Sequence, residues 1–242
     1  MVQMHENNDL SKTLVIFDVD GTLIQSMALE AECYVTAFAD HLGIESISSD
    51  WGSYLHVTDP GIAIELYQRY CGRSPTDHEL RSFHDLFVSR LKSKIAQDKG
   101  CLVEVAGAAD MLAKLKADLR FTIAIATGAW KEPIQVKLSA AGLAINDFPF
   151  ASAEDSIERK IIFSLAAKRA SSSFQQTVLV GDGLWDMATA RTLDYGFIGI
   201  GTGIQASRLQ AEGAAHVIEN YLDYESFISV LGKAPPLRWL PL

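Results

Sequence analysis

The run Leu14-Val15-Ile16-Phe17-Asp18-Val19-Asp20-Gly21-Thr22-Leu23 constrains this chain more than any other stretch. Its four leading apolar residues predict a strand buried on both faces, as in a parallel sheet. The strand runs directly into two carboxylates and a glycine. Successive strand residues alternate faces, so Asp18 and Asp20 leave it on the same side. Gly21 lets the backbone turn where a side chain would obstruct it. Two acids at the end of a buried strand are costly unless a cation or a reaction uses them. Open α/β sheets bind ligands in the crevice beyond the carboxyl ends of their strands. A lone Asp-x-Asp would equally end a strand in a solvated turn, so the weight rests on the remaining chain.

Beyond that turn, apolar spacing predicts a helix over 27–42 with Gly43 as its stop. A polar loop ends in His56-Val57-Thr58-Asp59-Pro60, where Asp59 as N-cap and Pro60 at the first helical position would start a helix to about Cys71. Thr76 or Asp77 would cap a long amphipathic helix to about Ile95. No strand is expected between Gln25 and Gly100. The α/β pattern then resumes. Helices are expected over 107–119, 133–141, 159–170, 183–193 and 224–231, with strands over 121–126, 177–180, 197–200 and 216–218. Strands alternating with helices predict a Rossmann-like parallel sheet covered on both faces. The expected domains are a discontinuous core, 1–24 with 103–242, and an inserted helical unit, 25–102.

With 242 residues the chain can bury a full core. Its net charge of -9 argues against nonspecific binding to nucleic acid or anionic membrane. No run approaches the about 18 apolar residues that span a bilayer. The three scattered cysteines have no metal-ligand spacing and read as reduced, buried thiols of a cytoplasmic protein. The polar start, 1–11, predicts no signal peptide. A monomer or weak dimer is expected.

Three of the predicted strands end in chemistry: Asp18-Val19-Asp20-Gly21-Thr22, Ala126-Thr127-Gly128, and Val180-Gly181-Asp182-Gly183 with Asp186 four residues beyond Asp182. The cationic pair Arg159-Lys160 lies between the second and third. Corresponding ends of successive strands would deliver all of these side chains to one crevice.

In these motifs and their order, 14–231 resembles the haloacid dehalogenase-like phosphohydrolase superfamily, closest to its phosphoglycolate phosphatase-like members with a helical cap after the first motif. The resemblance implies a Mg²⁺-dependent phosphatase of a small phosphorylated metabolite. Asp18 would be the nucleophile that forms an aspartyl-phosphate. Asp20 would be the general acid and then the base. Thr127 and the N–H of Gly128 would hold the phosphoryl group. The cation would take Asp18, Asp182 and the carbonyl of Asp20, with Asp186 behind them. Arg159 and Lys160 compete for the third motif's cationic role, spacing to Ile162 and Phe163 favouring Arg159. Gly183 stands where serine or threonine is common. In relatives a loop comparable to His56, Thr58 and Asp59 folds over the site and selects the substrate; an ordinary helix N-cap is the alternative.

Trp130, Lys131 and Trp185 are candidate pocket walls, although tryptophan more often packs. His41, His78 and His84 are expected on the surface or in cap packing, and the apolar tail, 234–242, is expected to pack on the core. Asp20 argues against 2-haloacid dehalogenation, and the absence of a lysine over 26–42 against phosphonate hydrolysis. A phosphomutase shares all the core residues, and a catalytically silent phosphate-binding relative is the non-enzyme alternative. A receiver-like signalling module would have neither Asp-x-Asp-Gly-Thr nor a long helical insertion in its first crossover. The helical unit is expected to close over the crevice by hinges near 24–25 and 100–105.

Overall fold

The computed structural model describes residues 12–170, 173–234 and 236. Within them, β1 (Thr13–Phe17), β2 (Phe121–Ala126), β3 (Phe150–Ala151), β4 (Gln176–Gly181), β5 (Gly196–Ile200) and β6 (Val217–Ile218) form one six-stranded sheet. All neighbours are parallel, in the order β3-β2-β1-β4-β5-β6. The fold is the expected Rossmann-like α/β sheet.

The strands are apolar on both faces because both faces are covered. Val15 and Phe17 of β1, Ile123 and Ile125 of β2, and Val178 and Val180 of β4 enter one core. Helices α4 (Ala108–Ala117), α5 (Lys131–Ala141) and α9 (Tyr224–Leu231) complete it. Leu14, Ile16, Ala124, Ala126 and Leu179 face the other way, onto α6 (Arg159–Arg169), α7 (Leu184–Leu193) and α8 (Gly203–Ala211). This period of two follows from the pleat.

The helices α1 (Met27–Leu42), α2 (Asp59–Cys71) and α3 (Asp77–Gln97), with a short turn of 3₁₀ helix at Trp51–Ser53, build a separate apolar cluster. Its centre is aromatic, with Tyr34 and Phe38 meeting Phe83 edge to face. Two connections join this block to the sheet. The Gln25 N–H donates to the Val103 carbonyl (2.8 Å) and the Val105 N–H to the Leu23 carbonyl (2.9 Å). Gly43 closes α1 in the left-handed conformation, and Thr76 caps α3 in a reciprocal box with Glu79.

Several elements differ from expectation. Thr58, not Asp59, caps α2: its hydroxyl accepts from the Gly61 N–H (3.2 Å), and Asp59 is the first helical residue. That leaves the Asp59 carboxylate free to act elsewhere. Strand β3 and helix α8 were not expected. Two residues carry no readable period, and α8 buries only Leu209. Of the cysteines only Cys33 is buried; Cys71 ends α2 on its exposed side, and Cys101 lies part-exposed in the return connection. Ala234 is buried, whereas 237–242, like 1–11, lie outside the described residues. No helix among the described residues is long and apolar enough to cross a membrane.

Candidate active site

The strand register assembles the site. Phe17 of β1 sits opposite Ile125 of β2 on one side and Val180 of β4 on the other. The residues that follow each strand, Asp18, Thr127 and Asp182, therefore emerge at one edge of the sheet. The Asp18 N–H donates to the Val180 carbonyl (3.0 Å), which prolongs the pairing to Asp18 itself. Gly21 turns the chain at φ +73°, and a Cβ there would lie 2.1 Å from Asp182 Oδ2. Only glycine allows both the turn and the approach of that carboxylate.

Asp18, Asp182 and Asp186 are all buried, and each offers an oxygen within 4.8 Å of the others. Arg159, the first residue of α6, reaches into the cluster. Its guanidinium donates to Asp18 Oδ1 (3.1 Å), to Asp186 and to the Val57 carbonyl (3.3 Å). β3 explains its arrival: the Thr127 N–H pairs with the Ala151 carbonyl (3.1 Å), and the chain then enters α6 beside the crevice. Lys160 does not share this place. One residue further along the helix it faces outward and pairs with Glu158 (2.9 Å), so the expected competition between the two cations is won by Arg159 in position.

One guanidinium for three carboxylates leaves the cluster short of positive charge. Burial, then the charge of Asp186, holds the Asp18 carboxyl well above the usual carboxylate range despite Arg159. Burial and the charges of Asp186 and Asp18 do the same to Asp182. Asp182 Oδ2 accepts from the Gln205 amide (2.8 Å), but its buried Oδ1 has no hydrogen-bond partner. An orphaned carboxylate oxygen beside two more carboxylates is the donor set of a hard divalent cation. The residues present therefore fit Mg²⁺, through Asp18 and Asp182 with Asp186 adjacent.

Asp20 takes a different direction. Its carboxylate accepts from the Ser26 hydroxyl and from the Lys137 ammonium (2.6 Å), and Lys137 also binds Glu30. Burial by itself would raise the Asp20 carboxyl; Lys137, with hydrogen bonds from Glu30, Lys137 and Ser26, brings it below the usual range. Its carboxylate is thus engaged elsewhere, and the expected cation contact of Asp20 concerns its main-chain carbonyl.

The cleft above these groups is narrow, about 60 Å³, and its walls come from both the sheet end and the helical block. Thr127, Gly128 and Asp182 face Tyr34, Trp51 and Asp59 across it. The Thr127 hydroxyl accepts from the Ala129 N–H (3.1 Å). Gly128 touches the opposite wall, its carbonyl accepting from the Asp59 N–H (2.8 Å). The Asp59 carboxylate accepts from the Trp130 N–H (2.9 Å), and burial pushes its carboxyl up to about 7. The Thr58 hydroxyl donates to the Ile157 carbonyl (2.9 Å) besides capping α2, so it fastens the loop. His56 lines a wider recess of about 390 Å³ outside the cleft, not the cleft itself. Trp185 stands between the two spaces. A Cβ on Gly183 would lie 2.0 Å from its indole, which explains the glycine where a hydroxyl residue is common. Trp130 packs on Phe83 and His84 and does not line the cleft.

Sequence reasoning missed Ser26, Glu30, Lys137 and Gln205. Lys137 had a signal: it shares a helix face with Ile134 and Leu138, both buried, so a lysine there must find a partner inside. Gln205 sits in the unexpected α8 and had none.

Residues 12–194 match the family model of the haloacid dehalogenase-like hydrolases. No curated protein matches the sequence. Among solved structures, a hydrolase from Pseudomonas syringae superposes with a TM-score of 0.70 at 23% identity, over 90% of this chain and 99% of that one. CbbY from Rhodobacter sphaeroides, solved in complex with phosphate, gives 0.66 at 19% over 87% and 95%. A structure described as a predicted phosphoglycolate phosphatase from Haemophilus somnus gives 0.63 at 16% over 90% and 98%. At these identities the likeness is one of fold.

Proposed function

Because the chain belongs to the haloacid dehalogenase-like hydrolases, we propose that it is a Mg²⁺-dependent phosphatase of a small phosphorylated metabolite. The observation that carries this reading is the convergence of Asp18, Asp182, Asp186, Arg159 and Thr127 at the ends of three adjacent strands. A carboxylate attacking a phosphate meets like-charge repulsion, and the charge spreads over the phosphoryl oxygens in the transition state. Arg159 offsets part of that charge, and Thr127 with the main chain of Gly128 would orient the oxygens. Mg²⁺, held by Asp18 and Asp182, would supply the remaining positive charge.

In the first half-reaction an Asp18 oxygen bonds to phosphorus as the bond to the leaving oxygen breaks, and Asp20 gives that oxygen a proton. In the second, water attacks the phosphorus of the aspartyl-phosphate, Asp20 takes the water proton, and Asp18 is regenerated. The helical block would act as a cap that keeps bulk water out. The narrow cleft suits a small substrate whose remaining atoms extend toward the block. An acidic chain without a membrane-crossing helix among its described residues fits a cytoplasmic enzyme, acting as a monomer or weak dimer without nucleic acid or membrane partners.

The test is hydrolysis of an aryl phosphate with Mg²⁺ by the native protein and by Asp18→Asn. Mg²⁺-dependent turnover that falls by about 10⁴-fold in the variant is expected. Turnover that survives the substitution would refute Asp18 as nucleophile. A mutase would instead return the phosphoryl group to a second hydroxyl, so phosphate release in step with alcohol release separates the two.

A further inference from the structure

Lys137 is a fully buried charge that the mechanism above does not use. It lies on α5, its side chain has no solvent exposure, and it has two carboxyl partners. One is Asp20, at 2.6 Å, on the loop that follows β1; the other is Glu30, in the first turn of α1. The ammonium therefore joins three separate parts of the chain: a sheet-covering helix, the strand-end loop and the helical block.

Resting on the phosphatase reading, we propose that Lys137, anchored by Glu30, is a positioning residue that holds the acid–base Asp20 in place. A lysine is seldom placed wholly inside a protein, because its ammonium must exchange water for fixed partners. An apolar residue would fill the space beside Ile134 and Leu138 without that cost. The use visible here is the contact with Asp20. Without the ammonium that side chain would keep the Ser26 hydroxyl and Glu30 as its polar neighbours and lose the cation that fixes Oδ1.

Lys137 and Ser26 grip the same oxygen, Oδ1. When Asp20 passes its proton to the leaving oxygen, the bond from phosphorus to that oxygen breaks. The carboxylate left behind is already met by an ammonium. Glu30 completes the arrangement by fixing the far side of Lys137, and it makes the geometry depend on where α1 sits. Lys137 is thus a link through which the helical block can set the orientation of Asp20.

Protonation matters little for an acidic phenol and greatly for an alkoxide, so a fault in Asp20 placement scales with leaving-group basicity. We would measure kcat/KM for a series of aryl phosphates and one alkyl phosphate with the native protein, Lys137→Met, Glu30→Gln and Asp20→Asn. Lys137→Met should lose less than about threefold on the most acidic phenol and about 100-fold on the alkyl ester, tracking Asp20→Asn. Lys137→Arg should recover part of the loss. A uniform loss across the series, or none, would overturn the proposal while native turnover leaves the phosphatase reading intact. Absence of native turnover on every ester would refute both. A thermal melt of each variant accompanies the series; if Lys137→Met does not fold, the slope of Glu30→Gln decides, with a smaller tilt of the same sign expected and a flat profile overturning the idea.

Discussion

Asp18 and Asp20 leave one strand end two residues apart and on the same side, yet they enter opposite electrical surroundings. Asp18 joins two further buried carboxylates around a single guanidinium, and its proton is held tightly. Asp20 joins one carboxylate, a hydroxyl and a fully buried ammonium, and its proton is held loosely. The first neighbourhood lacks positive charge and is suited to receive a cation. The second is nearly balanced from within and is suited to hold a shape. Two equal side chains thus come to differ in proton affinity through their surroundings alone.

The largest effect that would break this contrast lies in the neighbouring cations. Arg159→Ala removes the positive side chain that, among the described residues, touches Asp18, and kcat should fall by about 10²- to 10³-fold. Lys160→Ala, one residue on but paired outward with Glu158, should stay within about twofold of native. Equal losses in steady-state assays would mean that the separation of the two cations in the structure does not carry over to catalysis.

The pH dependence of stability sharpens the same comparison. Asp18 and Asp182 hold protons more tightly folded than unfolded, so with chelator present their contribution falls as pH rises above the ordinary carboxylate value of about 4. Asp59, raised to about 7, acts in the same direction between about pH 4 and 7, at up to about 1.4 kcal/mol per pH unit. Asp20, being lowered, has the opposite sign: its contribution grows as pH rises toward about 4 and is complete above it. Melting temperatures in chelator should therefore fall from pH 5 to 7, and Mg²⁺ should flatten the slope by neutralising the Asp18 cluster. A rise across that window in chelator would contradict the assignment.

The smallest expected effect tests the wall of the Asp182 side. Gly183→Ser must displace the Trp185 indole and should cost about 1 kcal/mol in denaturant unfolding. The cost should vanish when Trp185→Ala is added, because the two sites touch. An undiminished cost in the double variant would place the strain elsewhere.

Much of the first neighbourhood was legible in the linear order. Apolar runs ending in Asp18, Thr127 and Asp182 predict parallel strands, and parallel strands in register deliver their ends to one crevice. The second neighbourhood was not legible. Ser26 and Glu30 read as ordinary residues at a helix start, and nothing in the spacing ties Lys137 to a loop 117 positions earlier. Thr58 and Asp59 show an intermediate case. Asp59 was expected as the cap of α2, whereas Thr58 caps it and the Asp59 carboxylate accepts from the Trp130 N–H, a contact 71 positions away in sequence.

The sequence by itself determined the sheet, the helical insertion and the identity of the acids at the strand ends, because hydrophobic period and turn chemistry are local properties of the chain. Only the tertiary structure decided that Arg159 enters the crevice while Lys160 leaves it, that Lys137 lies buried against Asp20, and that Asp182 keeps an oxygen without a partner. Those outcomes depend on burial and on charges brought together from distant positions. Electrostatic interaction follows distance in space, which the order of residues does not record.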